Sequence, residues 1–484
     1  MSTELSSAAT PHLRRVLGQW DLVLLFVVAV ANVNVVPVVA AGGPVTVWLW
    51  LAALILFFWP QGIAVIELSH RYPGEGGVYL WSKEIFGDFH GFLSGWCYWT
   101  NNVFYIPTLL FYVVGISVYV GGARFAALGN NRIFVFVLAL ILLWLIVWLN
   151  IRGLGVGKWV NNLGGIGTVI VVVVLAALAA VHWHIFGLNV AAKDFKIAGA
   201  DWHLVSSFGV ICFGLVGLEL ASVMGDEIRD PRRTVPRAVA WGGILSGLLY
   251  IGATLAVLLA LPKKDISVVQ GILQAVTRMA SDVGVLWLVP PLAFVLTLAI
   301  TGTTSAWLSG SARIPFVAGL DRYLPPVLGR IHPRYRTPYV ALIVQATLSC
   351  LFAAMSFVGA TVQEAYEIML LLAVVLQLVP FLYMYAAVIR IAMRDDLGDG
   401  FYKRRTLQLA GISGLATTTI GIAVAFVPPS DRHESPWLFE LKMLVGCAFF
   451  VGLAVFFFCV YSRRKDREKV RVSAAAPRAQ GELP

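Results

Sequence analysis

The 484-residue sequence has few charged side chains: Asp, Glu, Lys and Arg make up only 13% of it. Soluble globular proteins carry about 25%. Apolar side chains account for 59% of the chain, even with glycine left out of that count. This composition excludes a water-soluble enzyme, a disordered protein and a free nucleic-acid-binding protein as first interpretations.

The sequence is also poor in cysteine, with five residues that all lie within apolar runs. Because they are scattered along the chain, neither a disulfide framework nor a metal cluster is predicted, and we expect no cofactor. The first 20 residues are polar and basic, with no cleavage site after a short apolar run. This pattern predicts that the first hydrophobic segment is retained as a membrane helix.

The sequence is rich in long runs without a charged residue. A membrane-spanning helix needs about 20 mainly apolar residues, so each run can be compared with that length. The runs are 22–66, 89–123, 133–151, 159–192, 202–225 (interrupted only by Glu219), 238–262, 283–312, 337–363, 368–389, 406–430 and 443–462. The first is long enough for two spans and is divided at Ala41-Gly42-Gly43-Pro44. The sequence therefore predicts an all-α polytopic membrane protein with twelve transmembrane helices.

The positions of Lys and Arg predict the orientation of these helices. With the N-terminus in the cytoplasm, the cytoplasmic segments hold 27 of the 36 basic residues. Such an excess predicts a plasma (inner) membrane protein with both termini cytoplasmic. The basic run Arg463-Arg464-Lys465 then faces anionic membrane lipid, and a nucleic-acid partner is not expected. We expect a cytoplasmic tail at 1–15 and a basic, disordered tail at 462–484.

The first predicted helix is interrupted at mid-span by Ala31-Asn32-Val33-Asn34-Val35-Val36-Pro37. Proline removes one helical hydrogen bond and clashes with the preceding turn, and asparagine is costly in lipid. Interrupted helices are typical of transporters, in which the exposed backbone lines a substrate cavity. The alternative is a proline-kinked helix whose asparagines bond to neighbouring helices.

The sixth predicted helix carries Gly214 and Gly217 at mid-span, where glycine lowers the cost of unwinding. Its alternative explanation is close packing of helices through small residues. Because the two interrupted segments lie five helices apart, they indicate an inverted repeat. Helices 1–5 (about 20–181) and 6–10 (about 203–390) would form its halves, with helices 11–12 (about 406–461) appended.

Glu219 is the only charged residue in the sixth run. A carboxylate inside a membrane is a functional candidate by default, and it could stay protonated or exchange protons during transport. The alternative is a carboxyl group that only forms hydrogen bonds between helices.

Three loop segments resemble the amino acid–polyamine–organocation (APC) permeases in the same order and spacing. They are Glu67–Trp81 with its Pro-Gly-Glu-Gly-Gly-Val-Tyr core, Asp226–Ala238, and Arg313–Pro338. The resemblance covers about residues 16–461 and defines the expected transporter domain. It implies the five-plus-five inverted-repeat fold of the leucine transporter, with helices 1 and 6 unwound at mid-membrane around the substrate.

The resemblance also implies site residues. Phe213, Gly217 and Glu219 match the family's aromatic–x–x–x–Gly–x–Glu pattern, in which the glutamate is a candidate proton-coupling residue. Asn102 is similar to a substrate-facing asparagine, and Trp307 to an aromatic residue that lines the lower pocket. The expected substrate-binding set is Asn32, Val33, Asn34, Val35, Asn102, Cys212, Phe213, Gly214, Gly217 and Trp307.

Two departures from the family pattern bear on the substrate and the coupling ion. The usual Gly-Ser-Gly-Ile-Phe run of helix 1 is replaced by residues 30–34, so both of its glycines are absent. Backbone N–H groups could still bind a carboxylate there, and the asparagine amides could contribute. A helix-5 lysine of some proton-coupled members is also missing near Gly167 or Thr168. Thr303, Thr304 and Ser305 could bind sodium, but no carboxylate accompanies them.

The predicted function is secondary transport of amino acids or related amines by alternating access, driven by protons or a counter-substrate. A polyamine transporter of the same fold and a non-transporting sensor or accessory protein are the alternatives. An enzyme is not expected, because His-Glu-x-x-His, Gly-x-Ser-x-Gly and phosphate-binding motifs are all absent. The expected partners are a small-molecule substrate, protons and membrane lipid; the oligomeric state is left open.

Overall fold

A computed structural model describes residues 18–74, 76–187, 192–196, 202–223, 230–356, 362–427 and 436–475. Every regular element in these ranges is helical. The α-helices are α1 (Gln19–Val30), α2 (Val36–Ala40), α3 (Thr46–Ala53), α4 (Trp59–Arg71), α5 (Val78–Phe86), α6 (Asp88–Ser117), α7 (Arg132–Ile151), α8 (Leu154–Phe186), α9 (Trp202–Gly214), α10 (Leu220–Val223), α11 (Pro231–Ala260), α12 (Gly271–Val283), α13 (Val289–Ser311), α14 (Arg313–Leu320), α15 (Tyr339–Ser356), α16 (Val362–Ala392), α17 (Arg404–Val424) and α18 (Pro436–Ala475).

Ten helical stretches of the described residues are long and apolar enough to cross a membrane. The protein is thus an all-helical, multi-pass membrane protein. The ninth predicted span corresponds to the shorter apolar helix α15, and the sixth to α9 and α10, which have 13 and 4 residues. Helix α18 continues to Ala475, so the described part of the predicted disordered tail is helical. Arg, Lys, Glu and Ala in this part favour helix, which explains the difference.

The first predicted helix is divided into α1 and α2. Helix α1 ends at Val30, and Val33–Val35 form a short 3₁₀ turn before α2. Pro37 lies in the first turn of α2, where its missing N–H has no helical partner to lose. In a continuous helix the proline ring would collide with the carbonyl of Val33, which explains the position of the interruption.

Helix α9 ends at Gly214, and α10 starts at Leu220. Gly217 has a φ of +138°, a conformation that side-chain-bearing residues rarely adopt. A Cβ atom on Gly217 would lie 2.8 Å from the carbonyl carbon and oxygen of Ala29 and 3.0 Å from the nitrogen of Val30. Gly217 thus allows both the turn and the direct contact between the two interrupted segments.

The helices around these segments pack in two groups. Helix α11 contacts α1, α2 and α4, while α6 contacts α13, α15 and α16. Helix α8 joins the groups, since it packs against both α1 and α13. Gly164 of α8 and Gly302 of α13 meet backbone to backbone, because a Cβ on Gly164 would lie 2.9 Å from the Cα of Gly302. The interrupted segments contact helices of both groups, since α1 packs against α11 and α13 and α9 packs against α16.

Candidate functional site

The hydroxyl group of Tyr250 on α11 connects the ends of α1 and α9. It accepts a hydrogen bond from the backbone N–H of Asn32 at 2.8 Å and lies 2.5 Å from the carbonyl oxygens of Val30 and Gly214. The Asn32 side chain bridges the same two ends, since its Nδ2 donates to Ala29 O at 2.8 Å and to Gly214 O at 3.4 Å. The two interrupted helices are therefore fastened to each other by side-chain donors.

Asn34 points toward α6 and α16 rather than toward α11. Its Oδ1 accepts from the Tyr105 hydroxyl at 3.4 Å, and its backbone carbonyl accepts from the Tyr366 hydroxyl at 3.1 Å. Both asparagines thus bond to neighbouring helices. Asn34 is fully buried and Asn32 is 1% exposed.

Aromatic rings from three helices meet beside Asn34. Tyr105 contacts Phe213 edge-on, with ring centroids 4.9 Å apart, and meets Trp307 edge-on at 5.9 Å. The ring centroids of Trp307 and Tyr98 also lie 6.4 Å apart. Tyr98 precedes Asn102 by one helical turn and lies on the same side of α6. Phe213, Trp307 and Asn102, which were predicted from the sequence to bind substrate, therefore lie together around this face of α6.

Among the buried polar atoms without a hydrogen-bond partner in the described residues are Asn32 Oδ1, Asn102 Oδ1 and Trp307 Nε1. The Asn102 amide is held by its Nδ2, which donates to the Tyr98 carbonyl at 2.9 Å. An unsatisfied buried polar group costs about 1–3 kcal/mol, so such groups are usually occupied by a ligand or water. Two acceptors and one donor are available here.

The Glu219 carboxylate accepts four hydrogen bonds. Oε2 accepts from the Gly217 backbone N–H at 2.9 Å and from Gln61 Nε2 at 3.0 Å. Oε1 accepts from the Tyr98 hydroxyl at 3.1 Å and from Gln377 Nε2 at 3.3 Å. Glu219 is fully buried, and the structure records no ion pair between it and a described Lys, Arg or His. Helices α4, α6 and α16 thus converge on this one side chain.

The remaining predicted residues are placed as follows. Val33 and Val35 are buried in the 3₁₀ turn, and Val35 lies against Gly214. Cys212 instead lies near Gly421 of α17, so the structure does not bring it to the aromatic face of α6.

The hydroxyl groups considered for sodium are engaged in other contacts. Thr303 and Thr304 donate to carbonyls of their own helix at 3.3 and 2.8 Å, and Ser305 accepts from Asn150 at 3.0 Å. Thr168, at the position of the missing helix-5 lysine, likewise donates to Gly164 O. No group of three His, Cys, Asp or Glu side chains in the described part of the chain could hold a metal ion.

A polar cluster links α5 to Asp321, the residue that follows α14. Asp321 accepts from Lys83 Nζ and from the Tyr79 hydroxyl, both at 2.6 Å. Burial, together with the neighbouring Asp321 charge, raises the pKa of the Tyr79 phenol, which therefore stays a proton donor. Tyr79 and Asp321 belong to the first and third segments of the APC resemblance, whereas residues 226–229 of the second segment lie outside the described residues.

The sequence profile described as "Amino acid permease" matches residues 17–464, which is nearly the whole chain. The chain belongs to the amino acid permease family. This confirms the resemblance to APC permeases inferred from the loop motifs. As a family member the protein is a membrane transporter rather than an enzyme.

Named relatives of this permease include transporters and antiporters. It is 27% identical to an uncharacterized transporter of Legionella pneumophila over 91% of this chain and 96% of the relative. It is 25% identical to the cadaverine/lysine antiporter of Escherichia coli over 72% and 77%. A probable agmatine/putrescine antiporter of Lactococcus lactis is 25% identical over 60% of this chain and 61% of its own length.

Sequence reasoning missed several polar side chains of the candidate site. Gln61 and Gln377 are uncharged polar residues within charge-free runs, which is the same signal that pointed to Glu219. Tyr98, Tyr105 and Tyr250 carry no such signal, since tyrosine is common in membrane helices and near their ends.

Proposed function

We propose that this permease carries amino acids or related amines across the plasma membrane by alternating access, with protons or a counter-substrate as the driving force. Its twelve helices would form a five-plus-five inverted repeat with α11 and α12 following the second interruption, and with both termini cytoplasmic. On this proposal, α1–α2 and α9–α10 are the unwound helices of the two halves.

The observation that carries the proposal is a set of buried polar atoms without hydrogen-bond partners among the described residues, one at the interrupted end of α1 and two beside the aromatic face of α6. The acceptors Asn32 Oδ1 and Asn102 Oδ1 suit an ammonium group, and the donor Trp307 Nε1 suits a carboxylate oxygen. Aromatic faces such as those of Tyr105 and Phe213 add attraction for a cation. A small molecule that carries an amino group fits this combination of groups.

A diamine is the second candidate, because two relatives are named as antiporters of agmatine/putrescine and cadaverine/lysine. A second ammonium group would need a carboxylate with a lone pair to spare. Each Glu219 oxygen already accepts two hydrogen bonds, which fills the capacity of a carboxylate. This arrangement supports a substrate with one ammonium group, and on this proposal Glu219 exchanges a proton rather than binding the substrate.

Uptake into proteoliposomes tests the proposal. A panel of labelled neutral amino acids, lysine, agmatine, putrescine and cadaverine would be offered with and without a pH gradient, with protein-free liposomes as the control. We expect saturable uptake of at least one probe, with amino acids preferred over diamines. Folded protein that carries none of them would contradict transport and favour the sensor interpretation.

A further inference from the structure

The two oxygens of the Glu219 carboxylate are bonded to different helix groups. Oε2 accepts from Gln61 on α4 and from Gly217, whereas Oε1 accepts from Tyr98 on α6 and Gln377 on α16. Helix α4 packs against α11, and α16 packs against α6. Helices α4 and α16 also pack against each other, and the Glu219 carboxylate adds hydrogen bonds across that contact.

The Gln377 amide has a fixed orientation. The Tyr98 carbonyl can only accept, so Asn101 turns its Nδ2 toward it, at 3.0 Å. The same Nδ2 donates to Gln377 Oε1 in a close contact. Gln377 must therefore present its Nε2, a donor, to Glu219. If Gln377 turned over, its Nε2 would face Asn101 Nδ2, and two donors would oppose each other.

The Gln61 amide is not fixed in this way. Its Nε2 donates to Glu219, but its Oε1 is buried without a hydrogen-bond partner among the described residues. Turning the amide over would break no other bond and would present Oε1 to the carboxyl group. Gln61 can therefore donate to an ionised Glu219 and accept from a protonated one.

We propose that Gln377 is a positioning residue that holds Glu219 in its ionised form, and that Gln61 is the amide that turns to accept the proton when Glu219 is protonated. The proposal rests on the proton-coupling role proposed for Glu219. Among the described residues, the titratable groups facing Glu219 are two phenols, Tyr98 of α6 and Tyr385 of α16. Protonation of Glu219 would then weaken the bonds of Oε1 to α6 and α16 while the bond to α4 is kept, which weakens the hydrogen-bonded connection between α4 and these two helices.

An infrared pH titration of the full-length protein in detergent tests this without a substrate. The carbonyl band of the protonated carboxyl that disappears in Glu219→Gln would be assigned to Glu219 and followed with pH. Loss of one fixed donor to a carboxylate in Gln377→Met should move the midpoint upward by about one pH unit or more. Gln61→Met should move the midpoint by less than half as much, because Gln61 forms a hydrogen bond with both the ionised and the protonated Glu219.

Gln345→Met is the matched control. Gln345 is also fully buried, and its Nε2 donates at 2.6 Å to Ser311, away from Glu219, so its loss should leave the midpoint unchanged. Asn101→Ala, which frees the Gln377 amide to turn, should move the midpoint upward as Gln377→Met does; it carries the test if Gln377→Met fails to fold.

Three results have distinct meanings. An unchanged midpoint in Gln377→Met or, in its place, in Asn101→Ala would overturn the role of Gln377. Equal shifts in Gln61→Met and Gln377→Met would overturn the turning amide and leave the coupling role of Glu219 intact. A wild-type protein in which Glu219 does not titrate between about pH 5 and 9 would contradict the coupling role itself.

Discussion

Removing the Tyr250 hydroxyl tests whether it fastens the ends of α1 and α9 together. Tyr250→Phe deletes one oxygen and keeps the ring, which stacks on Trp50 with a centroid distance of 4.3 Å. Packing should therefore survive, while the hydrogen bond from Asn32 N–H and the bond donated to Val30 O or Gly214 O are lost.

The expected magnitude follows from these two bonds. A buried intramolecular hydrogen bond contributes about 0.5–1.5 kcal/mol net, so their loss should lower the free energy of unfolding by about 1–3 kcal/mol. The carbonyls of Val30 and Gly214 keep second partners in Asn32, whose N–H lies 2.7 Å from Val30 O and whose Nδ2 lies 3.4 Å from Gly214 O. Because these contacts leave neither carbonyl without a partner, the loss of unfolding free energy should stay within this range rather than exceed it.

Chemical denaturation of the full-length protein in detergent measures this change, and Tyr112→Phe is the matched control. Tyr112 is also fully buried, but its hydroxyl has no hydrogen-bond partner among the described residues. Its removal should cost nothing or be slightly stabilising. If Tyr250→Phe is as stable as Tyr112→Phe, the hydroxyl does not hold the two helix ends together.

Other substitutions probe the same region. Gly217→Ala should strongly impair folding or uptake, because its Cβ would overlap backbone atoms of Ala29 at 2.8 Å, whereas Gly252→Ala has no atom within 4 Å and should be tolerated in both assays. Trp307→Phe removes an unpartnered N–H, so it should weaken binding of a transported probe about tenfold with little change in unfolding free energy. The reverse pattern would assign Trp307 to packing. Asn32→Ala should weaken probe binding more than it lowers stability, and an effect on thermal stability alone would count against a site there.

Much of the fold follows from the sequence because charge-free runs of spanning length have few other structures available to them. Pro37 likewise locates the end of α1, since the proline ring excludes a continuous helix at that point. Glu219 can also be recognised from the sequence, because it is a single charge within an apolar run. These features depend on local sequence alone.

The pairing of side chains between helices could not be predicted in the same way. Asn34 and Asn32 are two residues apart, yet one bonds to α6 and α16 and the other to α9, because the 3₁₀ turn points them in different directions. Cys212 and Phe213 are adjacent, and only Phe213 reaches Tyr105. Which neighbour a side chain contacts depends on the rotation of its helix about the helix axis. Tertiary packing determines that rotation, and the pattern of apolar runs in the sequence does not reveal it.

The pH dependence of uptake in Glu219→Gln tests the central claim most directly. Wild-type protein and the variant would be compared in proteoliposomes with the labelled probe that the wild type carries, across a series of external pH values. We predict that Glu219→Gln still binds the probe but that its uptake no longer varies with pH. Uptake with an unchanged pH profile in the variant would contradict the assignment of Glu219 as the proton-coupling residue.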